Sequence, residues 1–360
     1  MAAAAQAQSL LPTLLGSRRI PIDLGSQSFT LGGPSLTFPL RKKGWLSNLF
    51  VHVAGAYTVA LATLVPNQLM PYNIITQFLL DGPGQTPAFR LGGFGLHVWN
   101  LVERPLAPFV TGERVLGSSL GALDANAYDA SILDQMGLTV GAQTAHFWWS
   151  LPFSRSSMDP RGVLGLGTDY QVNLILSFTS KAGLVTTAAN LTADTWTARV
   201  TQVYYTPVQP GVADFDPLWA MVYDEQQQPI AALGNQLVNI NPGGRILGIA
   251  HGIMLNNAMD SADVASATIA LNDSFLVEPK GLPGETVHFL QRYSHGFPLP
   301  VGVVLWDEDT FADDGALDVR DWINTQNIQT IQATISIPTG TLGTAPSIYT
   351  WTKRLLRLAA

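Results

Sequence analysis

The side chains best suited to hold a metal or move a proton are six histidines, His52, His97, His146, His251, His288 and His295, and a run of carboxylates near the carboxyl end. No two histidines stand at i, i+4 as a helical metal pair would, and HExxH is absent. The chain has no cysteine, so a zinc site would need several His or carboxylate groups converging from distant strands. His52 and His251 fall at matching places in two similar apolar β runs and are expected to be half-buried strand histidines. The carboxylates are Asp307, Glu308, Asp309, Asp313, Asp314, Asp318 and Asp321, seven in 15 residues. Hard cations take such oxygen ligands. With Asp307 or Asp309 as first ligand, however, the sixth loop position is Ala312 or Asp314 instead of the EF-hand glycine. Asp307, Asp309, Asp313 and Asp314 are therefore weak calcium candidates, and a solvated or intersubunit acidic loop is the favoured reading.

Nucleophilic and phosphate chemistry find no better footing. The GxSxG turn of a serine hydrolase and the GxxxxGK[ST] loop are both missing. Gly92-Gly93-Phe94-Gly95 and Gly165-Leu166-Gly167 lack the helix and downstream acid of a dinucleotide fingerprint and read as turns. No pair of acids is singled out for glycoside chemistry. No catalytic residue and no cofactor is expected, and the chain is read as a non-enzyme.

The elements that remain to be explained are mostly strands. Charged residues make up 12% of the 360 positions, against about 25% in an ordinary soluble domain. Hydrophobic residues make up 47%, with 33 glycines and 23 prolines. Disordered chains and coiled coils need more charge, and helical enzymes carry Glu and Lys on their solvated faces. Ile20, Ile22 and Leu24 alternate, as do Phe29, Leu31, Leu36, Phe38 and Leu40 around a Gly32-Gly33-Pro34 turn. Further strands are expected at 88–91, 94–102, 137–140, 145–151, 170–178 and 195–205, with one weak helical patch at 122–136. Leu46 to Val65 is uncharged and long enough to span a membrane. Its Phe50, Val51, Val53, Tyr57, Val59 and Thr63 are strand formers, so buried β structure is expected there.

Past a linker at 208–216 the second half echoes the first. Gly44-Trp45-Leu46 opens an apolar run, and Gly244-Arg245-Ile246 opens another. His146-Phe147-Trp148 is matched with His288-Phe289-Leu290, the strand at 170–178 with 301–306, and the closing strand at 195–205 with 328–337. The reading is an arm at 1–19, a first β domain at 20–207, a second at 217–340 and a basic segment at 341–360. Aromatic clusters such as Phe147-Trp148-Trp149 and Trp196 with Tyr204-Tyr205 are expected to be buried, in a core or an interface.

Charge is segregated. Residues 1–43 hold Arg18, Arg19, Arg41, Lys42 and Lys43 against Asp23 alone, and residues 340–360 hold Lys353, Arg354 and Arg357 with no acid. The net charge of −7 therefore leaves about −14 on the body between them. Met1 to Arg19 is Ala-rich and apolar, with its cations after the apolar run, the reverse of a secretory signal. It is expected to be a short, retained, helical arm.

Tandem β sandwiches, an apolar arm, basic ends and no catalytic constellation together resemble the double jelly-roll major capsid proteins of tailless icosahedral viruses and phages. The resemblance is to an architecture, over about 20–340, and not to a sequence motif. It implies an all-β fold of two tandem eight-stranded antiparallel jelly-roll domains with long loops. It further implies a virion location, homotrimeric pseudo-hexagonal capsomers, capsomer–capsomer contacts, and neighbours such as vertex proteins. Leu69 to Thr144 would then be a long outward insertion, and Arg18, Arg19, Lys353, Arg354 and Arg357 would face an internal membrane or the genome. Two other readings stay open: a secreted two-sandwich carbohydrate-binding or carbohydrate-active protein, and a trimeric receptor-binding spike.

Overall fold

The computed structural model describes residues 17–67, 69–81, 89–103, 135–153, 164–165, 171–207, 219–255, 258–259, 264–271, 275–283, 302–307, 323–325, 328–343 and 345–357. The chain divides into two compact units, with the main boundary between Met221 and Val222. Leu101–Pro105 groups with the second unit and Arg357–Ala360 with the first.

The first unit contains β1 (Ser17–Phe29), β2 (Leu36–Pro39), β3 (Trp45–Val59), β4 (Ile75–Asp81), β5 (Phe89–Leu91), helix α1 (Gly93–Glu103), β6 (Gln135–Met136), β7 (Gly141–Pro152), β8 (Leu164–Gly165), β9 (Asn173–Phe178), the single-turn helix α2 (Lys181–Leu184) and β10 (Leu191–Pro207). One sheet runs β1-β10-β3-β7-β6, with β8 also on β3, and the other runs β5-β4-β9-β2. The last strand thus lies between the first and the third. Its register runs Ser17↔Pro207 to Phe29↔Trp196 on one side and Trp45↔Tyr205 to Val59↔Leu191 on the other. Alternation explains the sidedness: in β7, Phe147, Trp149 and Leu151 are buried, and in β9, Leu174, Leu176 and Phe178 are. Their rings interlock between the sheets, with Phe29 stacked on Phe178 at 3.6 Å and Phe78 edge-on to Trp149 at 5.7 Å.

Residues 94–102, expected as a strand, lie in helix α1. The segment is mostly apolar, with only His97 and Asn100 polar, and offers no strict alternation to set a period, so pattern alone does not decide between helix and strand. The helix brings Asn100 to the backbone of Ser150 in β7: Asn100 Nδ2 donates to the Ser150 carbonyl and its Oδ1 accepts from the Ser150 amide, both at 2.9 Å. A side-chain amide thereby supplies the pairing that a further strand would give this edge. Residues 137–140, also expected as a strand, form a turn before β7. Leu69–Thr144 is not one insertion, since β4 and β5 within it build the second sheet. Of the helical patch expected at 122–136, Gln135–Met136 forms β6 and the rest lies outside the described residues.

The second unit contains β11 (Trp219–Pro229, whose first residues group with the first unit), β12 (Gly234–Ile240), β13 (Arg245–Leu255), β14 (Ala258–Met259), β15 (Ser266–Leu271), β16 (Phe275–Pro283), β17 (Val303–Asp307), β18 (Ile323–Asn324), β19 (Ile331–Ile337) and β20 (Ser347–Arg357). Here β20 lies between β11 and β13, β17 and β18 pair with the other edge of β13, and the second sheet runs β12-β19-β15-β16. The order repeats that of the first unit. Each is an eight-stranded jelly roll with minor added strands. The core of this unit is aliphatic, centred on Ile246, Ile249, Ile253, Ile269, Ile331, Ile335 and Ile337.

This wiring corrects the expected matches between the halves. The strand equivalent to β10 is β20, and Ile331–Ile337 corresponds to β9, while β17 corresponds to β7. The second half thus corresponds one strand further along than those matches expect, and the second unit runs to Leu356 where the sequence expectation ends at 340. The openings do correspond residue for residue. Gly44 (φ 62°) and Gly244 (φ 71°) both adopt the left-handed region. Trp45 pairs with Tyr205 and Arg245 with Leu355, and both ladders then skip the third residue after the glycine, Ser47 or Leu247. A Cβ on Gly44 would collide with the Tyr205 carbonyl oxygen, and one on Gly244 with that of Leu355.

Gly44→Ala and Gly244→Ala should each destabilise their unit by about 2–4 kcal/mol, combining left-handed strain with a backbone clash. Gly141→Ala, at φ 120° but with open space around its Cβ, should cost less. Urea midpoints of the three variants test the ranking.

Candidate functional site

The structure first locates the candidate metal and proton-transfer groups. Asp307 ends β17, whereas Asp309, Asp313 and Asp314 lie outside the described residues. Among the described residues no group of three or more His, Asp or Glu side chains is placed to hold a metal ion. His288 and His295 lie outside the described residues. His97 is buried in α1 and stacks on Tyr72 at 3.5 Å.

His52 and His251 do not occupy matching positions. With Gly44 and Gly244 aligned, His251 takes the place of Val51 and His52 that of Gly252, so the two rings point to opposite faces of their sheets. His251 is fully buried, with Nδ1 2.9 Å from Thr350 Oγ1 and the Trp306 ring edge-on at 5.2 Å. His52 is half-buried on the other face of the first unit's sheet. Its Nε2 is 3.3 Å from His146 Nδ1, and its ring stacks on Trp148 at 4.0 Å. Arg199 lies across the ladder from His52 and forms an exposed ion pair with Asp23 at 2.6 Å. Burial pushes the His52 imidazole down to about 4, aided by the charges of His146 and Arg199; burial alone pushes His97 and His251 down to about 3.

Beyond this row the same sheet face is neutral. Ala56, Thr58, Ala142, Gln143, Thr144, Ala193 and Thr195 line an open groove of about 430 Å³ without a charged group. A shallow neutral groove suits packing against another surface better than enclosing a small ligand. Trp149, Trp196 and Trp351 are each 1% exposed, so they are core residues and offer no exposed sugar platform.

The basic residues separate into two kinds. Lys353 and Arg354, read from the sequence as part of a basic end, are 3% and 8% exposed within β20. They stand where the first unit has Val203 and Tyr204. Arg354 Nη2 donates to Asp224 Oδ2 at 3.1 Å and Nη1 to the Asn241 carbonyl at 3.3 Å. Burial works against this charge, and Asp224 offsets it. Arg357 is the last residue of β20.

Arg18 and Arg19, expected on a helical arm, instead open strand β1 opposite Thr206 and Tyr205, and both are exposed. Residues 1–16 lie outside the described residues. Tyr205 also pairs with Trp45, which brings the exposed loop residues Arg41, Lys42 and Lys43 to the same end of the sheet. Sequence reading counted these three cations but did not place them. Gln202, fully buried, fixes their loop: its Oε1 accepts from the Arg41 amide at 2.8 Å and its Nε2 donates to the Arg41 carbonyl at 3.1 Å.

No protein-family model matches the chain, and no curated protein matches it in sequence. Solved structures do match, over nearly its whole length. The atomic structure of Sulfolobus turreted icosahedral virus is similar over 94% of this chain and 91% of that one, at 10% identity and a TM-score of 0.67. The Faustovirus major capsid protein is similar over 95% and 91%, at 9% identity and 0.60. The major capsid protein of bacteriophage PM2 is similar over 95% and 98%, at 11% identity and 0.56. The fold is that of the double jelly-roll major capsid proteins. At these identities the likeness is one of wiring, and the two units of this double jelly roll differ in core chemistry, aromatic in the first and aliphatic in the second.

The buried histidines make the double jelly roll sensitive to acid. Unfolded imidazoles titrate near 6.5, and His52, His97 and His251 stay neutral in the fold until about 4, 3 and 3. Their contribution to stability is fully present above pH 6.5. It is lost as the pH falls toward 3, by up to about 1.4 kcal/mol per pH unit for each histidine. Urea midpoints measured from pH 7 to pH 3.5 should fall, and His97→Asn should flatten the fall if it folds; a flat wild-type profile contradicts the assignment.

Proposed function

We propose that this chain is a structural virion protein, the major capsid subunit of an icosahedral shell, built from trimers whose six jelly rolls give a pseudo-hexagonal outline. The observation that carries the reading is the double jelly-roll wiring over 94% of the chain, shared with structures of icosahedral virus shells. Two sandwiches of one wiring per chain are what a three-chain capsomer needs to present six similar sides. The neutral groove on β10, β3 and β7 supports lateral contact, because charge is depleted at the cores of protein interfaces. The role is structural and not enzymatic. Its partners are further copies of the same chain within and between capsomers, and vertex proteins where the lattice curves to a five-fold corner.

Among the described residues Trp45, Trp99, Trp149, Trp196, Trp306 and Trp351 are buried, and the half-buried Trp148 is stacked on His52, which counts against the exposed aromatic platform of the carbohydrate reading. A spike would trimerise without tiling. Light scattering of the purified chain should give a mass three times 38.7 kDa at micromolar concentration. A monomer that is stabilised by added glycans would overturn the proposal in favour of the carbohydrate reading.

A further inference from the structure

We infer that His52 and His146 hold one divalent transition-metal ion, of the copper, nickel or zinc class, on the outer face of the first unit's sheet. The inference goes beyond the capsid reading and does not depend on it, because both protein ligands belong to one unit of one chain.

The register between β3 and β7 sets the pair. His52 stands opposite Trp148 and His146 opposite Ala54, so the two histidines are diagonal neighbours on one face. His52 Nε2 lies 3.3 Å from His146 Nδ1. That is longer than the roughly 2.7–3.2 Å usual for a hydrogen bond donated by N–H. It matches the edge of a tetrahedral site, because two imidazole nitrogens about 2.0–2.1 Å from one ion stand about 3.3–3.4 Å apart. The ring planes are within 10° of each other, and the centroid separation of 5.5 Å is taken up by the 3.3 Å gap and the two ring radii. The rings therefore meet edge to edge, and an ion beside the line joining the two nitrogens lies in the plane of both. A turn of the rings within that plane aims both lone pairs at it. The wiring alone does not demand this pair, since Gly252 takes the place of His52 in the second unit.

The surroundings suit such an ion. Arg199, across the ladder from His52, is ion-paired with Asp23 at 2.6 Å, so its charge is offset locally. Burial, with the charges of His146 and Arg199, holds the His52 ring neutral down to about 4, so at pH 7 a metal does not have to displace an added proton from it. Each neutral ring can carry its one proton on the far nitrogen, His52 Nδ1 or His146 Nε2, which leaves both facing lone pairs for the metal. Both histidines are half-buried, so water reaches the remaining coordination positions, and Trp148, stacked on His52 at 4.0 Å, holds that ring in place. The donor set selects the class of ion: imidazole nitrogen suits copper, nickel and zinc, whereas calcium and magnesium take oxygen ligands. Of the three, copper(II) should bind most tightly.

The test is titration of the full-length protein with copper(II) chloride at pH 7, read by tryptophan fluorescence, because a bound copper(II) ion quenches a ring as near as Trp148. A saturable part of the emission should be lost. His52→Gln and His146→Gln should each weaken that step by at least the roughly 10- to 100-fold that loss of an outer-shell partner costs. Trp148→Phe should remove the quenched part. Nickel(II) should raise the melting temperature of the wild type and of neither histidine variant. Urea midpoints without metal establish that the variants are folded. The combined His288→Gln and His295→Gln variant should bind as the wild type does. Absence of saturable quenching and of a nickel-dependent melting shift in the wild type would overturn the inference, whatever the variants do. So would undiminished quenching in folded His52→Gln, or loss of binding only in the His288 and His295 variant, which would place the ion elsewhere. Since the readout is on unassembled protein, a failure here leaves the capsid proposal standing, and a monomeric protein that binds copper at this pair does the reverse.

Discussion

Each unit depends on one constraint: its last long strand must enter the middle of a sheet whose neighbours were made first. β10 completes the ladder with β1 on one side and β3 on the other, and β20 lies likewise between β11 and β13. Until that strand arrives, the edges of β1 and β3 lack their partner and the Phe29, Tyr57 and Trp196 rings cannot close over one another. The loop-closure entropy of such distant pairing grows slowly with length, but the pairing is non-local and makes the fold slow to form. Central insertion also fixes where the ends go. Ser17 must meet Pro207, so the start of β1, the end of β10 and the turn into β3 share one end of the sandwich. That geometry gathers Arg18, Arg19, Arg41, Lys42 and Lys43 at one end of the first unit.

Much of the strand content was legible because many of the strands bury one face only. β9 and β19 alternate cleanly, β7 does so up to Trp149, and the glycine-led openings of β3 and β13 announced the repeat. What failed has a physical reason in each case. Helix α1 is buried nearly all round and carries no charge before its last residue, Glu103, so it lacks the charged stripe that marks a solvated helix face. Strand β20 carries Lys353, Arg354 and Arg357, so it read as a tail, while its register places Lys353 and Arg354 inside. The repeat was matched one strand out because β9, β10 and β19 share one alternation, and period alone does not state which neighbour a strand will have.

The basic end of the first unit was legible as a charge count and not as a place. The excess of cations in residues 1–43 was evident, but the approach of Arg41, Lys42 and Lys43 to Arg18 and Arg19 is created only by the β1-β10-β3 ladder. The histidines teach a related lesson. A bulge at Ser47 and at Leu247 keeps the two openings in step, so a difference of one residue in spacing puts His251 in the core and His52 on the outer face. The 12% of charged residues likewise has a structural meaning: the groove on the outer face of the first unit's sheet, beyond the His52 and Arg199 row, is lined mostly by Ala and Thr where a solitary domain would carry Lys and Glu.

The central claim, that this double jelly roll tiles a shell, is tested most directly by electron microscopy of the concentrated full-length protein. The account predicts particles with a six-sided outline and three-fold internal symmetry that pack edge to edge into sheets or closed shells. Single two-lobed particles at every concentration, with no lateral contact, would contradict it.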